Sequence, residues 1–173
     1  MDEGMDLSPA KLQFIEDVGL YFQQYGLALI GGRVLGLLML AERPLTLDAM
    51  ATTLGVARSS ISTNIRVSVR GGMVDRASFP GDRRDYYRFA SNTWDSATRV
   101  GIESLLRLRR IADRGLTAMA PVDQLARDRL TELADFCEFM TAEQQASLER
   151  WRERRGTAAQ TAISALDGYG RRP

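Results

Sequence analysis

No histidine occurs anywhere in this sequence, and lysine and cysteine occur once each, as Lys11 and Cys137. Without histidine, neither a Ser-His nor a Cys-His nucleophile pair can form. A single cysteine excludes an intramolecular disulfide and leaves a structural zinc site without its usual ligands. No run reaches the roughly 20 apolar residues of a membrane-spanning helix. The longest apolar stretch, residues 30–41, contains Arg33. The start is acidic (Asp2, Glu3, Asp6) and lacks the basic region of a signal peptide. Gly31-Gly32-Arg33-Val34-Leu35-Gly36 lacks the preceding strand and the lysine of a phosphate loop. The adjacent Glu16 and Asp17 sit in a helical pattern, as solvated or salt-bridged carboxylates do. A cytoplasmic protein follows, with no membrane partner, no metal, no cofactor and no enzymatic activity.

What is present is unevenly distributed. The formal net charge is +1, yet residues 56–90 hold seven arginines against three aspartates, so the remainder is net acidic. Arginine suits bidentate contacts to phosphate and to guanine. A GC-rich genome also favours arginine codons, so placement matters more than number.

The placement is ordered. Residues 47–54 form an amphipathic pattern with Thr46 as N-cap. Gly55-Val56-Ala57 is a tight turn. A second helix runs from about Arg58 to Arg70, with Ile61 and Ile65 on one face. Its other face carries Ser59, Ser60, Ser62, Thr63, Asn64, Arg66 and Arg70. Gly71-Gly72 ends it. Residues 73–79 and 85–89 then read as two strands, joined by Pro80-Gly81-Asp82-Arg83-Arg84. In the last strand, period-two alternation puts Tyr87 and Phe89 on the core side and Arg84, Tyr86 and Arg88 on the other. The whole is a winged helix-turn-helix with a two-stranded wing, and the fold class is mainly α.

Helices flank this element on both sides. Ser8-Pro9 starts one, with Ser as N-cap and Pro at the first position. It runs to about Tyr25 and is apolar on more than one face: Leu12, Ile15 and Phe22, but also Phe14, Val18, Tyr21 and Tyr25. A helix of that kind needs more than one packing partner. In the next helix, residues 31–40, Gly32 and Gly36 allow a neighbour to approach closely. After Thr93 the stripe is Trp94, Ala97, Gly101, Leu105, Leu108, Ala112 and Met119, with Pro121 at its end. A last long helix covers about 123–154, roughly 48 Å at a rise of about 1.5 Å per residue. Its stripe is Ala126, Leu130, Leu133, Cys137, Met140, Leu148 and Trp151, widened by Phe136 and Phe139. That length exceeds what one small domain needs and points to pairing with a second copy. The expected organisation is N-terminal helices at 8–42, the winged domain at 43–91, long dimerisation helices at 92–155 and a frayed tail at 156–173, with at most a short helix near 158–166. The expected dimer interface comprises Leu12, Ile15, Leu130, Leu133, Cys137, Met140, Leu148 and Trp151.

A helix-turn-helix lays its second helix in the major groove, where the first turns reach base edges. Arg58, Ser59, Ser60, Ser62, Thr63, Asn64, Arg66 and Arg70 are side chains such a surface requires. Arg83 and Arg84 in the wing suit phosphates or the adjacent minor groove. The partner is therefore double-stranded DNA, bound by a homodimer at a pseudo-palindromic site. An adaptor that uses its winged helix for protein contacts is the alternative. A further alternative is a redox-responsive regulator acting through Cys137. Its place on an apolar stripe instead suggests inert packing.

With these residues in place, the chain resembles the MarR-like regulators, in particular the GbsR-type branch. The likeness rests on residues 14–19 (FIEDVG), Gly26, residues 32–38 (GRVLGLL), residues 54–62 (LGVARSSIS), Gly72-Met73-Val74 and residues 80–87 (PGDRRDYY). It covers about residues 8–95. The resemblance implies a homodimeric winged-helix repressor released by a small effector, with residues 58–66 and the wing on DNA. It also implies an effector site between the dimerisation helices and the winged domain, with choline-like cations as ligands. A quaternary ammonium needs an aromatic cage, for which Tyr21, Phe22, Tyr25 and Trp94 are the candidates. Two departures stand out. Ser68 replaces the leucine expected one turn after Ile65, leaving Val67 or Val69 to compensate. The reactive N-terminal cysteine of peroxide-sensing relatives is absent.

Overall fold

The computed structural model of this chain describes residues 5–120 and 122–169, with side chains as far as residue 157. Asp2, Glu3, Pro121 and residues 170–173 of the tail lie outside the described residues. The elements run α1 (Pro9–Gln23), α2 (Leu29–Leu40), β1 (Leu45–Thr46), α3 (Leu47–Leu54), α4 (Arg58–Arg70), β2 (Val74–Ala77), β3 (Tyr86–Phe89), α5 (Thr93–Ala118) and α6 (Gln124–Tyr169). They form two compact units, one up to Ala97 and one from Thr98.

In the first unit, local chemistry sets the helix ends. Ser8 Oγ accepts a hydrogen bond from the Lys11 amide at 3.4 Å, with Pro9 in the first turn of α1. Thr46 Oγ1 accepts from the Ala49 amide at 3.1 Å and caps α3. Gly55, at φ +64°, turns the chain out of α3 in the left-handed region that favours glycine. α4 closes with the Met73 amide bonded to the Ser68 carbonyl at 2.9 Å.

α1 and α2 meet backbone to backbone. A Cβ on Gly32 would lie 2.8 Å from the Gly19 Cα, and one on Gly36 would lie 3.1 Å from the Ile15 Cα. The glycine pair does accept a helix, and that helix is α1. Arg33 locks the same contact from the side. Its Nε and Nη2 donate to the two Glu16 carboxylate oxygens at 2.7 and 2.8 Å. That hydrogen bonding lowers the Glu16 pKa from its ordinary value.

The core of this unit joins Val34, Leu35, Leu37 and Leu38 of α2 to Met50, Ile61, Ile65, Val74 and Tyr87. The sheet has three antiparallel strands in the order β1-β3-β2, one more than the two-stranded wing expected. β1 is only Leu45 and Thr46, paired with Tyr87 and Tyr86. Two residues show no periodicity, so this strand carries no sequence signal. The wing strands are also shorter than residues 73–79 and 85–89. Ser68 is fully buried and, among the described residues, its Oγ has no hydrogen-bond partner. Val69 supplies the compensating apolar contact to the core, whereas Val67 is exposed.

In the second unit, the rest of α5 and α6 form an antiparallel pair. Arg127 Nη1 donates to the Leu116 and Met119 carbonyls at 3.0 and 3.3 Å, where the end of α5 leaves acceptors open. Arg109 bridges Asp113 and Glu138 at 3.1 and 2.6 Å. Small residues line the contact: Ala112, Ala134 and Cys137 are all buried. The α5 stripe differs from the expected one. Ile102 is buried, whereas Leu108 and Met119 are exposed. Nor does α6 stop near Arg154; it continues to Tyr169. The stretch beyond Gly156 is rich in alanine, and one interior glycine costs a helix only about 1 kcal/mol. Among the described residues, no helix is long and apolar enough to cross a membrane.

Candidate nucleic-acid interface

α4 packs on the core of the unit through Ile61 and Ile65, both buried, and this turns its polar face outward. Ser59, Thr63, Arg66 and Arg70 are exposed on that face. Arg58, at the start of the helix, is ion-paired with Asp48 of α3 (Nε to Oδ1, 2.9 Å). Two of the polar side chains turn back on their own helix. Asn64 donates its amide to the Ser60 carbonyl at 2.8 Å. Arg66 Nη2 donates to Ser62 Oγ at 3.5 Å, one turn back.

Between α4 and the hairpin lies a cleft of about 530 Å³. The helix contributes Arg58, Ser62, Arg66 and Arg70 to it; the hairpin contributes Arg76, Asp85 and Tyr87. The last three were not selected from the sequence. A signal existed: β2 and β3 pair with Arg76 opposite Tyr87, and opposite residues share a face. Reading Tyr87 as core therefore places Arg76 beside α4, once the register is known.

The wing tip is tied together by one carboxylate. Asp82 accepts from the Arg84 amide at 2.9 Å, from Arg84 Nη2 at 2.6 Å and from the Tyr86 hydroxyl at 2.7 Å. These bonds, the Arg84 side chain foremost, hold the Asp82 pKa well below the usual carboxylate range. The Arg84 guanidinium also lies 5.4 Å from the Tyr86 ring centre. Arg83 beside it is exposed and, among the described residues, has no ion-pair partner. Further pairs cross the strands: Arg76 with Asp85 at 2.5 Å and Arg88 with Asp75 at 3.5 Å. The two wing arginines are thus not equivalent. Arg84 is engaged within the hairpin, and Arg83 points its charge to solvent.

The four aromatic candidates fall in two separate groups of ring contacts. Tyr21 meets Phe22 edge-on at 5.3 Å and Tyr25 at 5.1 Å, while Trp94 packs on Phe89 at 6.1 Å. Tyr21, Tyr25 and Trp94 are exposed, and Phe22 packs on the core. A separate cavity of about 480 Å³ opens between α1, α2 and α3, lined by Leu12, Ile15, Glu16, Arg33, Thr53 and Leu54 among others. Its lining is aliphatic and ionic rather than aromatic. Of the expected interface residues, Ile15, Cys137 and Leu148 are buried within the chain itself. Leu12 and Trp151 are exposed, and Leu130, Leu133 and Met140 are half-buried. No group of three or more potential metal ligands occurs among the described residues.

Comparison with known proteins places this geometry in a family. Residues 92–154 match the model of the MmpR5-like MarR family transcriptional regulators. The chain is 31% identical over 153 residues to the HTH-type transcriptional regulator MmpR5 of Mycobacterium tuberculosis, covering 88% of this chain and 93% of that protein. A crystal structure of a transcriptional regulator superposes with a TM-score of 0.76 at 30% identity, covering 84% of this chain and 99% of the other. These relatives are transcriptional regulators, not enzymes. The chain belongs to the MarR family of winged-helix transcriptional regulators, as a homologue of MmpR5.

Proposed function

We propose that the chain is a repressor that binds a pseudo-palindromic operator as a homodimer and is released by a small molecule. The observation that carries the DNA reading is the pairing of two surfaces. The outward face of α4 presents Ser59, Thr63, Arg66 and Arg70, and the wing beside it presents Arg83. Helix in major groove and wing in the neighbouring minor groove is the docking such a pair supports. Ser60 and Asn64 are engaged with each other's helical turn, so base reading falls chiefly to Arg66 and its neighbours.

The homodimer is supported by apolar side chains left uncovered in one chain. Leu12, Leu20 and Tyr21 are exposed on α1, and Phe136, Phe139 and Trp151 on α6. Burial of Ile15, Cys137 and Leu148 moves the proposed interface onto these neighbours. The exposed rings of Tyr21 and Tyr25 support an aromatic surface for a cationic effector. The GbsR-type likeness rests on sequence motifs alone, and the family model that matches is MmpR5-like. A Cys137 redox switch is disfavoured, because the thiol is fully buried and peroxide reacts with exposed thiolates.

The test is fluorescence anisotropy on duplex DNA from upstream of the gene, against a scrambled duplex, at two salt concentrations. Preference for the native duplex is expected. Equal, weak and salt-sensitive binding to both leaves only the generic electrostatic attraction and would favour the adaptor reading. Light scattering should give the mass of two chains; a monomer would overturn the palindromic operator.

A further inference from the structure

We propose that the cleft between α4 and the hairpin is a channel for the phosphate backbone of one DNA strand, that Arg76 is its hairpin-side phosphate ligand, and that Asp85 is the positioning residue for Arg76. This rests on the DNA reading above and adds residues to it. With a helix in the major groove and a wing in the adjacent minor groove, the strand that separates the two grooves must pass between them. In this chain the space between them is the cleft of about 530 Å³.

Its lining has the chemistry of a phosphate site. Arg58, Arg66 and Arg70 enter from α4 and Arg76 from β2; Arg58 is paired with Asp48, and Asp85 is the one carboxylate in the lining itself. Arg76 stands opposite Tyr87 in the ladder, so its side chain leaves the sheet on the face that covers α4. Its Nη2 is bonded to Asp85 Oδ2 at 2.5 Å, and more than half of each side chain is exposed. The bond to Asp85 and a weaker one with Tyr87 take only part of the five-donor fork and leave the rest for an anion. A carboxylate in such a cleft opposes phosphate by its charge, which the pairing with Arg76 offsets, so its place there calls for another task. Here the task is to hold a long, rotamer-rich side chain across the cleft before DNA arrives.

The experiment measures anisotropy over a salt series on the native and scrambled duplexes. It uses the full chain, Arg76→Ala, Asp85→Asn and the double variant, each checked by thermal melting. Arg76→Ala should weaken binding to both duplexes about ten-fold and reduce the log–log salt slope by about 0.9, one phosphate's share. Asp85→Asn removes a negative charge from the cleft, yet should weaken binding about three-fold when Arg76 is present and have no effect when it is absent. An unchanged slope in Arg76→Ala would overturn the ligand role. Tighter binding by Asp85→Asn, equal in both backgrounds, would show that Asp85 only repels phosphate. If the unmodified chain fails to bind DNA, the DNA reading falls and this inference with it. If it binds and Arg76→Ala binds identically, this inference alone falls.

Discussion

Asp82 and Arg84 close the wing on itself: the aspartate takes the arginine's backbone amide at 2.9 Å, its Nε at 3.0 Å and its Nη2 at 2.6 Å. Folding lowers the Asp82 pKa, so the folded state favours the ionised form. The sign follows from linkage. The contribution is complete above the ordinary value of 3.8 and is lost as pH falls below it toward the folded value. An NMR titration of the Asp82 carboxyl should therefore show a midpoint below that of an unfolded aspartate. Asp82→Asn should lower amide protection across residues 79–86 at neutral pH. A midpoint at the ordinary value would mean that the Arg84 bonds do not persist in solution.

Because Arg84 is already engaged, Arg83 is the wing residue expected to matter more for DNA. Arg83→Ala should weaken binding equally on native and random duplexes and flatten the salt dependence by about one phosphate's share. Arg84→Ala should do less. Anisotropy on both duplexes checks the order, and a larger loss for Arg84→Ala would reverse it.

Arg66 is expected to behave differently from either. If it reads a base, Arg66→Ala should cost about 1–3 kcal/mol on the native duplex and relax sequence preference. An equal loss on random DNA would make Arg66 a positioning contact.

Gly32→Ala should destabilise the fold by about 1–3 kcal/mol, the usual range for overpacking. The added Cβ would meet the Gly19 Cα at 2.8 Å and the Gly19 carbonyl oxygen at 3.0 Å. Both are backbone atoms, so α1 must shift. Urea denaturation measures this, and an unchanged midpoint would show that α1 moves at no cost.

Ser68→Ala should act in the opposite direction. The buried Ser68 Oγ has no partner among the described residues, and removing an unsatisfied hydroxyl without changing volume much should stabilise by about 1 kcal/mol. A lower melting temperature would mean that the hydroxyl has a partner in solution.

The winged element was readable because its signals are local. The Thr46 cap, the Gly55 turn, the Ile61 and Ile65 spacing and the Gly71-Gly72 stop each involve residues a few positions apart. β1 was not readable, since its two residues become a strand only by pairing with Tyr86 and Tyr87, some forty positions away. The α6 stripe was readable as a helical period, but not which of its members one chain buries. Cys137 and Leu148 are covered, and Trp151 is not, because only packing against other elements decides that.

Residue type and short-range spacing suffice for the helix-turn-helix, the arginine-rich wing and the exclusion of histidine-based chemistry. Tertiary structure alone decided which charges are engaged. Among the described residues, Arg58, Arg76, Arg84 and Arg88 each have an aspartate partner, whereas Arg83 does not. It also decided that Arg76 joins the α4 face. Charge partners are set by strand register and helix docking, and those depend on contacts between residues far apart in the chain.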